Sequence, residues 1–222
     1  MSLPPATRRL AEVTRGAARW LAAAMLVLGV AAPAQAAPDD VYIKAREAYG
    51  RGDVVAAMAL LRPVADEGHA PSQSFLAYIL DKADFDEEAV RYYRMAAAQG
   101  YAEGQYGLAG MLAAGQGAKV DAPEALRLLR AASEQGHPGA TVALAQAYIA
   151  GLLGLDARQR NSAEAAAVLK RAADAGYRPA VTELVRAYRE GAYGLAPDPA
   201  EAARWDARAK ALAAAPAGKD KR

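Results

Sequence analysis

Along residues 40 to 212 apolar side chains return at intervals of three and four, and glycine interrupts them at regular distances. Four segments close on related signals: Ala-Asp-Glu-Gly-His69, Ala-Ala-Gln-Gly-Tyr101, Ser-Glu-Gln-Gly-His137 and Ala-Asp-Ala-Gly-Tyr177. Their glycines, Gly68, Gly100, Gly136 and Gly176, are 32, 36 and 40 residues apart. Periods of this size belong to stacked helix pairs, and the unequal spacing places the variable length in loops.

Eight and nine residues past each glycine stand Leu76-Ala77, Leu108-Ala109, Leu144-Ala145 and Leu184-Val185; twelve past stand Leu80, Leu112, Tyr148 and Tyr188. These offsets share one face of a helix. The small residue after each Leu lets a neighbouring helix approach, and the large residue one turn on fills the space beyond. Before each glycine a second helix is predicted on Ala57/Leu60/Leu61/Val64, Ala89/Tyr92/Tyr93/Ala96, Ala125/Leu128/Leu129/Ala132 and Ala165/Val168/Leu169/Ala172. The glycine then ends it in a left-handed conformation.

Helix starts are equally marked. Asp121…Glu124, Asn161…Glu164 and Asp198…Glu201 have capping-box spacing, and Asp53 holds the same place in the first repeat. Pro123 and Pro199 fall in first turns, where a missing N–H costs little. The second repeat has Phe85 at the cap position, so its joint is predicted to be the least regular. Val41 to Gly52, with Ala45 and Tyr49, supplies a first helix, and Ala202/Trp205/Ala209 closes the last. The reading is all-α: a solenoid of antiparallel helix pairs, about five repeats over residues 37–212, followed by a disordered tail over 213–222.

The line Gly-Tyr101-Ala-Glu-Gly-Gln-Tyr-Gly-Leu108-Ala-Gly-Met-Leu112-Ala-Ala-Gly115-Gln-Gly117, with Asp121, Glu124-Ala125 and Ala131-Ala-Ser-Glu-Gln-Gly136 after it, resembles the Sel-1-like repeat, a relative of the tetratricopeptide repeat. The family's tryptophan-tyrosine pair corresponds to Tyr92-Tyr93 here, to Leu or Val in other copies and to Trp205-Asp206 in the last. The resemblance implies a right-handed superhelix serving as an adaptor in protein complexes. Some cysteine-rich relatives are described as binding or hydrolysing β-lactams; this chain lacks the cysteines of that subgroup.

Composition agrees with many closely spaced helices: 54% of the 222 residues are hydrophobic, but aromatics reach only 7%. Arg8, Arg9, Arg15 and Arg19 precede an apolar run from Trp20 to Ala32, then Pro33 and Ala34-Gln35-Ala36. This order is that of a cleavable signal peptide over residues 1–36, with the mature chain periplasmic or secreted after cleavage near Ala36. If the segment were kept, residues 20–32 would serve as an anchor and the chain's one tie to a membrane. Four of the 27 bases and one of the 25 acids lie in that segment, so the remainder carries a net charge near −1. That balance argues against nucleic acid as a partner.

No catalytic residue, metal or cofactor is predicted. His69 and His137, the only histidines, follow repeat glycines where other copies have Tyr101 and Tyr177, and equivalent places two repeats apart do not converge on a metal. There is no Cys, and none of Ser72, Ser74, Ser133 and Ser162 lies in a Gly-x-Ser-x-Gly elbow. The acidic run Asp81, Asp84, Asp86, Glu87, Glu88 lacks the ligand spacing and turn glycine of a calcium loop, and Gly115-Gln-Gly117 has no phosphate-binding Gly-Lys after it.

Another protein or peptide is the expected partner. In such arrays the first helices line the concave side, and helical phase selects Tyr78, Asp81, Lys82, Tyr106, Gln146, Arg186 and Arg189 as its recognition face. The expected function is that of an exported periplasmic adaptor or scaffold. The alternative is a cell-envelope hydrolase acting on peptidoglycan-related or β-lactam substrates.

Overall fold

The computed structural model describes residues 37–214, so the expectations for the leader (1–36) and for residues 215–222 of the tail lie outside the described residues, while Ala213 and Ala214, expected in that tail, continue the last helix. The glycine punctuation divides the chain as the repeats require. First helices are α1 (Pro38–Gly50), α3 (Ala70–Lys82), α5 (Ala102–Ala114), α7 (Pro138–Ala150) and α10 (Arg178–Glu190). Second helices are α2 (Val54–Asp66), α4 (Asp86–Ala98), α6 (Ala122–Glu134), α9 (Ala163–Asp174) and α11 (Pro199–Ala214); the short α8 (Ala157–Arg160) sits in the long loop of the fourth repeat. Consecutive helices of the repeats pack on each other, and among the first helices α3 also meets α5 and α7 meets α10. Gly68, Gly100, Gly136 and Gly176 all take the left-handed backbone, with φ between 78° and 105°.

All twelve predicted contact positions on the first helices from Leu76 to Tyr188 are buried. On the second helices the predicted core positions left half-buried are Leu60, in the first repeat, and Ala209, in the last. Tyr49, on the first helix, is half-buried as well. Burying small faces against small faces carries the fold, at about 25 cal/mol per Å² of apolar surface removed from water.

Polar contacts set the register between repeats. The Arg62 guanidinium meets Glu88 at 2.5 Å and Arg130 meets Glu164 at 2.5 Å, in each case six residues before one repeat glycine and twelve before the next. Gln99 donates to the Gln73 side-chain oxygen and Gln135 to that of Gln105, both at 2.8 Å. Loop glycines complete the joints: a methyl group on Gly117 would lie 2.3 Å from the Asp86 carbonyl, so the third repeat's loop lies directly on the start of α4.

The helix caps differ from the capping boxes expected at Asp121, Asn161 and Asp198. Asp53 and Asp121 accept from the backbone N–H three residues on, and Asp198 accepts from Ala200 and Glu201. In the fourth repeat the cap is Ser162, whose Oγ accepts from the Ala165 N–H, while the Asn161 side chain instead accepts from the Gly194 N–H in the next repeat's loop. The reciprocal capping box is Asp156 with Gln159, at α8. The Glu124 and Glu201 side chains turn to Arg127 and Arg204, so Asp121 and Asp198 cap without the return bond. At the second repeat Phe85 caps α4 without a side-chain bond, and Asp84 adopts φ 60°.

Candidate functional site

The first helices of repeats two, three and four enclose an open groove of about 530 Å³. Its hollow follows from side-chain size at equivalent places. Seven residues past the repeat glycine the chain carries Phe75, Gly107, Ala143 and Glu183; ten past it carries Tyr78, Gly110, Gln146 and Arg186. Two glycines thus open α5 between larger neighbours on α3 and α7. A Cβ on Gly110 would meet nothing within 4 Å, because it faces the open space. A Cβ on Gly107 would lie 2.2 Å from the Tyr93 ring, which fills the place a side chain would take.

Tyr78, Asp81, Lys82, Tyr106 and Gln146 all line this groove. The Lys82 ammonium is 3.2 Å from Asp81 and 5.6 Å from the Tyr78 ring centroid, and hydrogen bonding and charge from Asp81 raise its pKa. Tyr78 stacks nearly parallel on Phe75, and Tyr106 lies 4.7 Å from the His137 ring. Tyr42, Tyr49, Phe75 and Tyr78 form an edge-to-face row leading from the groove toward the first repeat. The groove is therefore aromatic at one end and floored by small residues in the middle.

Arg186 and Arg189 are not among the groove's lining residues. Arg186 is held on its own helix by Glu183 at 2.6 Å and Glu190 at 3.4 Å, with the Tyr193 hydroxyl also donating to Glu183. Arg189 points to Asp206 on α11, 3.6 Å away. Both arginines lie on the first helix α10, and the acids that hold them come from α10 itself and from its paired helix.

Sequence reasoning assigned Tyr93 to the core, and it is 5% exposed, but its ring also lines the groove. Glu103 and Met111, together with Leu152 and Leu153 from the fourth repeat's loop, complete the walls. Leu153 is held at φ 56°, a left-handed backbone unusual for leucine. The legible signal was the departure of Gly107 and Gly110 from the bulk found at the same offsets elsewhere.

The histidines do not converge. His69 pairs through Nε2 with Asp39 at 3.0 Å and through Nδ1 with Ser72 at 2.8 Å. His137 Nδ1 accepts from the Ala140 N–H at 3.0 Å, which leaves the proton on Nε2 to donate to Glu103 at 2.8 Å. Both histidines stand at the N-terminal ends of first helices, but only the His137 ring caps a backbone N–H. Ser72, His69 and Asp39 are in the order of a hydrolytic triad, but Ser72 is 0% exposed while the Asp39 side chain is 84% exposed. A nucleophile must reach its substrate and its orienting acid is normally buried, so both requirements are inverted here. Among the described residues no three His, Cys, Asp or Glu side chains gather in a way that could hold a metal ion.

Neither protein-family models nor curated proteins yielded a match to the chain. Solved structures did. A Sel1 repeat protein from Oxalobacter formigenes is 26% identical with a TM-score of 0.65, the match covering 76% of this chain and 69% of that one. A protective antigen of uropathogenic Escherichia coli displaying an SLR fold is 23% identical with a TM-score of 0.62, over 78% of this chain and 38% of the antigen. A third structure, from Klebsiella pneumoniae, shares the fold at 19% identity and a TM-score of 0.52, over 79% and 86% of the two chains.

Proposed function

Because the chain is a Sel-1-like repeat solenoid, we propose that it is an exported adaptor that binds a segment of another protein along the groove of α3, α5 and α7. The observation that carries this reading is the convergence of Tyr78, Asp81, Lys82, Tyr106 and Gln146, from three successive repeats, on one concavity. Aromatic anchors beside small residues suit partner binding, since rigid rings bury area with few rotors and the small residues let a backbone approach. Export rests on the basic, apolar and small-residue order of residues 1–36. No helix among the described residues is long and apolar enough to cross a membrane. An intact-mass measurement on exported protein is expected to begin at Ala37; a mass beginning at Met1 makes the segment an anchor.

Binding is tested by placing a photo-crosslinking residue at Gln146 in the groove and, separately, at exposed Val55 on α2. Discrete adducts at Gln146 that vanish on filling the groove with Gly110→Trp support the reading. Equal labelling at both places, or labelling indifferent to Gly110→Trp, refutes it. The hydrolytic reading draws no support from the site, because Ser72, in the first turn of α3, is fully buried. Incubation with a reactive β-lactam is expected to leave the protein's mass unchanged.

A further inference from the structure

We propose that the groove selects partners by a basic side chain, held against the Tyr93 hydroxyl between Asp81 and Glu103, on an extended peptide that runs over the first helices. This deepens the adaptor reading and rests on it.

The first observation is a hydroxyl without a partner. Tyr92 donates to Asp66, Tyr193 donates to Glu183, and the Tyr148 oxygen accepts from Arg130. Tyr93 is 5% exposed, and among the described residues its hydroxyl bonds to no protein group; it lines the hollow opened by Gly107 and Gly110. Because this hydroxyl opens onto the groove, water can satisfy it in the free protein, and a ligand's donor can take that water's place.

The second observation is the sign of the charge around that hydroxyl. Burial, and then the carboxylates of Asp81 and Glu103, push the phenol pKa well up, so it stays neutral and offers its oxygen as an acceptor. The protein already shows what the mouth attracts: its own Lys82 ammonium lies by Asp81 and over Tyr78. Lys82 is 59% exposed and tethered at the rim, so it can yield to a cation that reaches deeper. The charged groups of the lining are Asp81, Lys82 and Glu103, the last already accepting from His137, and their net negative charge disfavours an acidic partner. A guanidinium fits best, because its forked donors can meet a carboxylate and a hydroxyl together while its plane lies on an aromatic ring.

The third observation is length. Tyr78 and Glu103 line both this hollow and an adjoining depression formed with Tyr42, Phe75 and Tyr101. The concavity therefore continues past the cation site, over an aromatic row that a peptide's neighbouring side chains can cover. That continuity favours a peptide over a free polyamine.

The test uses an array of dodecapeptides with randomised flanks and a fixed central residue: arginine, lysine, citrulline or glutamate. Full-length mature protein is expected to retain arginine and lysine peptides, with signals roughly tenfold above citrulline or glutamate, the scale of one charge-assisted hydrogen bond. Tyr93→Phe, which removes a hydroxyl the fold does not use, is expected to weaken the best arginine peptide about tenfold while leaving Tm unchanged. Lys82→Met removes the competing ammonium and is expected to tighten it. No preference for basic residues, or a preference that survives Asp81→Asn with Glu103→Gln, overturns the inference. Peptides bound without that preference but lost in Gly110→Trp leave the groove reading standing; peptides that bind Gly110→Trp normally sink the groove reading itself. Displacement by spermidine as readily as by peptide overturns the peptide as the source of the cation.

Discussion

Gly107 and Gly110 stand three residues apart on α5, yet a methyl group at each would meet different surroundings. At Gly107 it would overlap the Tyr93 ring at 2.2 Å; at Gly110 it would enter open space. Alanine favours a helix interior over glycine by about 1 kcal/mol, whereas overpacking a buried contact costs about 1–3 kcal/mol. Gly110→Ala is therefore expected to raise Tm, and Gly107→Ala to lower it or at best leave it level, in thermal melts of the two variants side by side. A rise in both would mean that Tyr93 moves freely, and the hollow would lose its floor. The core face of each helix was legible from spacing, because burial tracks periodicity. The groove was less so, since it depends on what is missing at two positions. Tyr93 shows the difficulty: one ring serves both the interior and the groove, and periodicity reports the interior.

Between helices, side-chain pairs that recur at the same offsets join one repeat to the next. Arg62 on α2 and Glu88 on α4 are such a pair. The hydrogen bond from Arg62, aided by its charge and opposed by partial burial, holds the Glu88 carboxyl below its ordinary range. A carboxyl depressed in the folded state contributes stability above its unfolded pKa and loses it as pH falls through the folded value. Both groups are about a third exposed or more, so the contribution near neutral pH is at most about 1 kcal/mol. Glu88→Gln is thus expected to lower stability slightly at pH 7 and to flatten its decline below about pH 4, read by urea denaturation at both values. An unchanged acid limb would assign the pair no energetic role. The caps teach a related lesson: Asn161 and Ser162 both have the chemistry of a cap, and which of them serves was settled by the Gly194 N–H approaching Asn161 from the next repeat.

Across the whole stack each repeat touches mainly its neighbours, so the damage done by a core deletion depends on where it falls. Leu144→Ala, in the fourth repeat with both neighbours present, is expected to cost about 2–5 kcal/mol and to lower amide protection on both sides of it. Trp205→Ala, on the closing helix, is expected to loosen α10 and α11 while leaving α3 to α6 protected, as read by hydrogen exchange. Uniform loss in both variants would show that the array unfolds as one unit.

Spacing alone specified helix pairs, their glycine stops, five repeats and the buried face of each helix, because those follow from local geometry and from removing apolar side chains from water. The groove needed the folded stack. Whether Tyr78 lies beside Tyr106, whether Arg186 is bound by Glu183 or left to a partner, and whether the Tyr93 hydroxyl meets protein or open space all depend on how residues distant along the chain approach one another. Those distances arise when small faces dock, and no single repeat contains them.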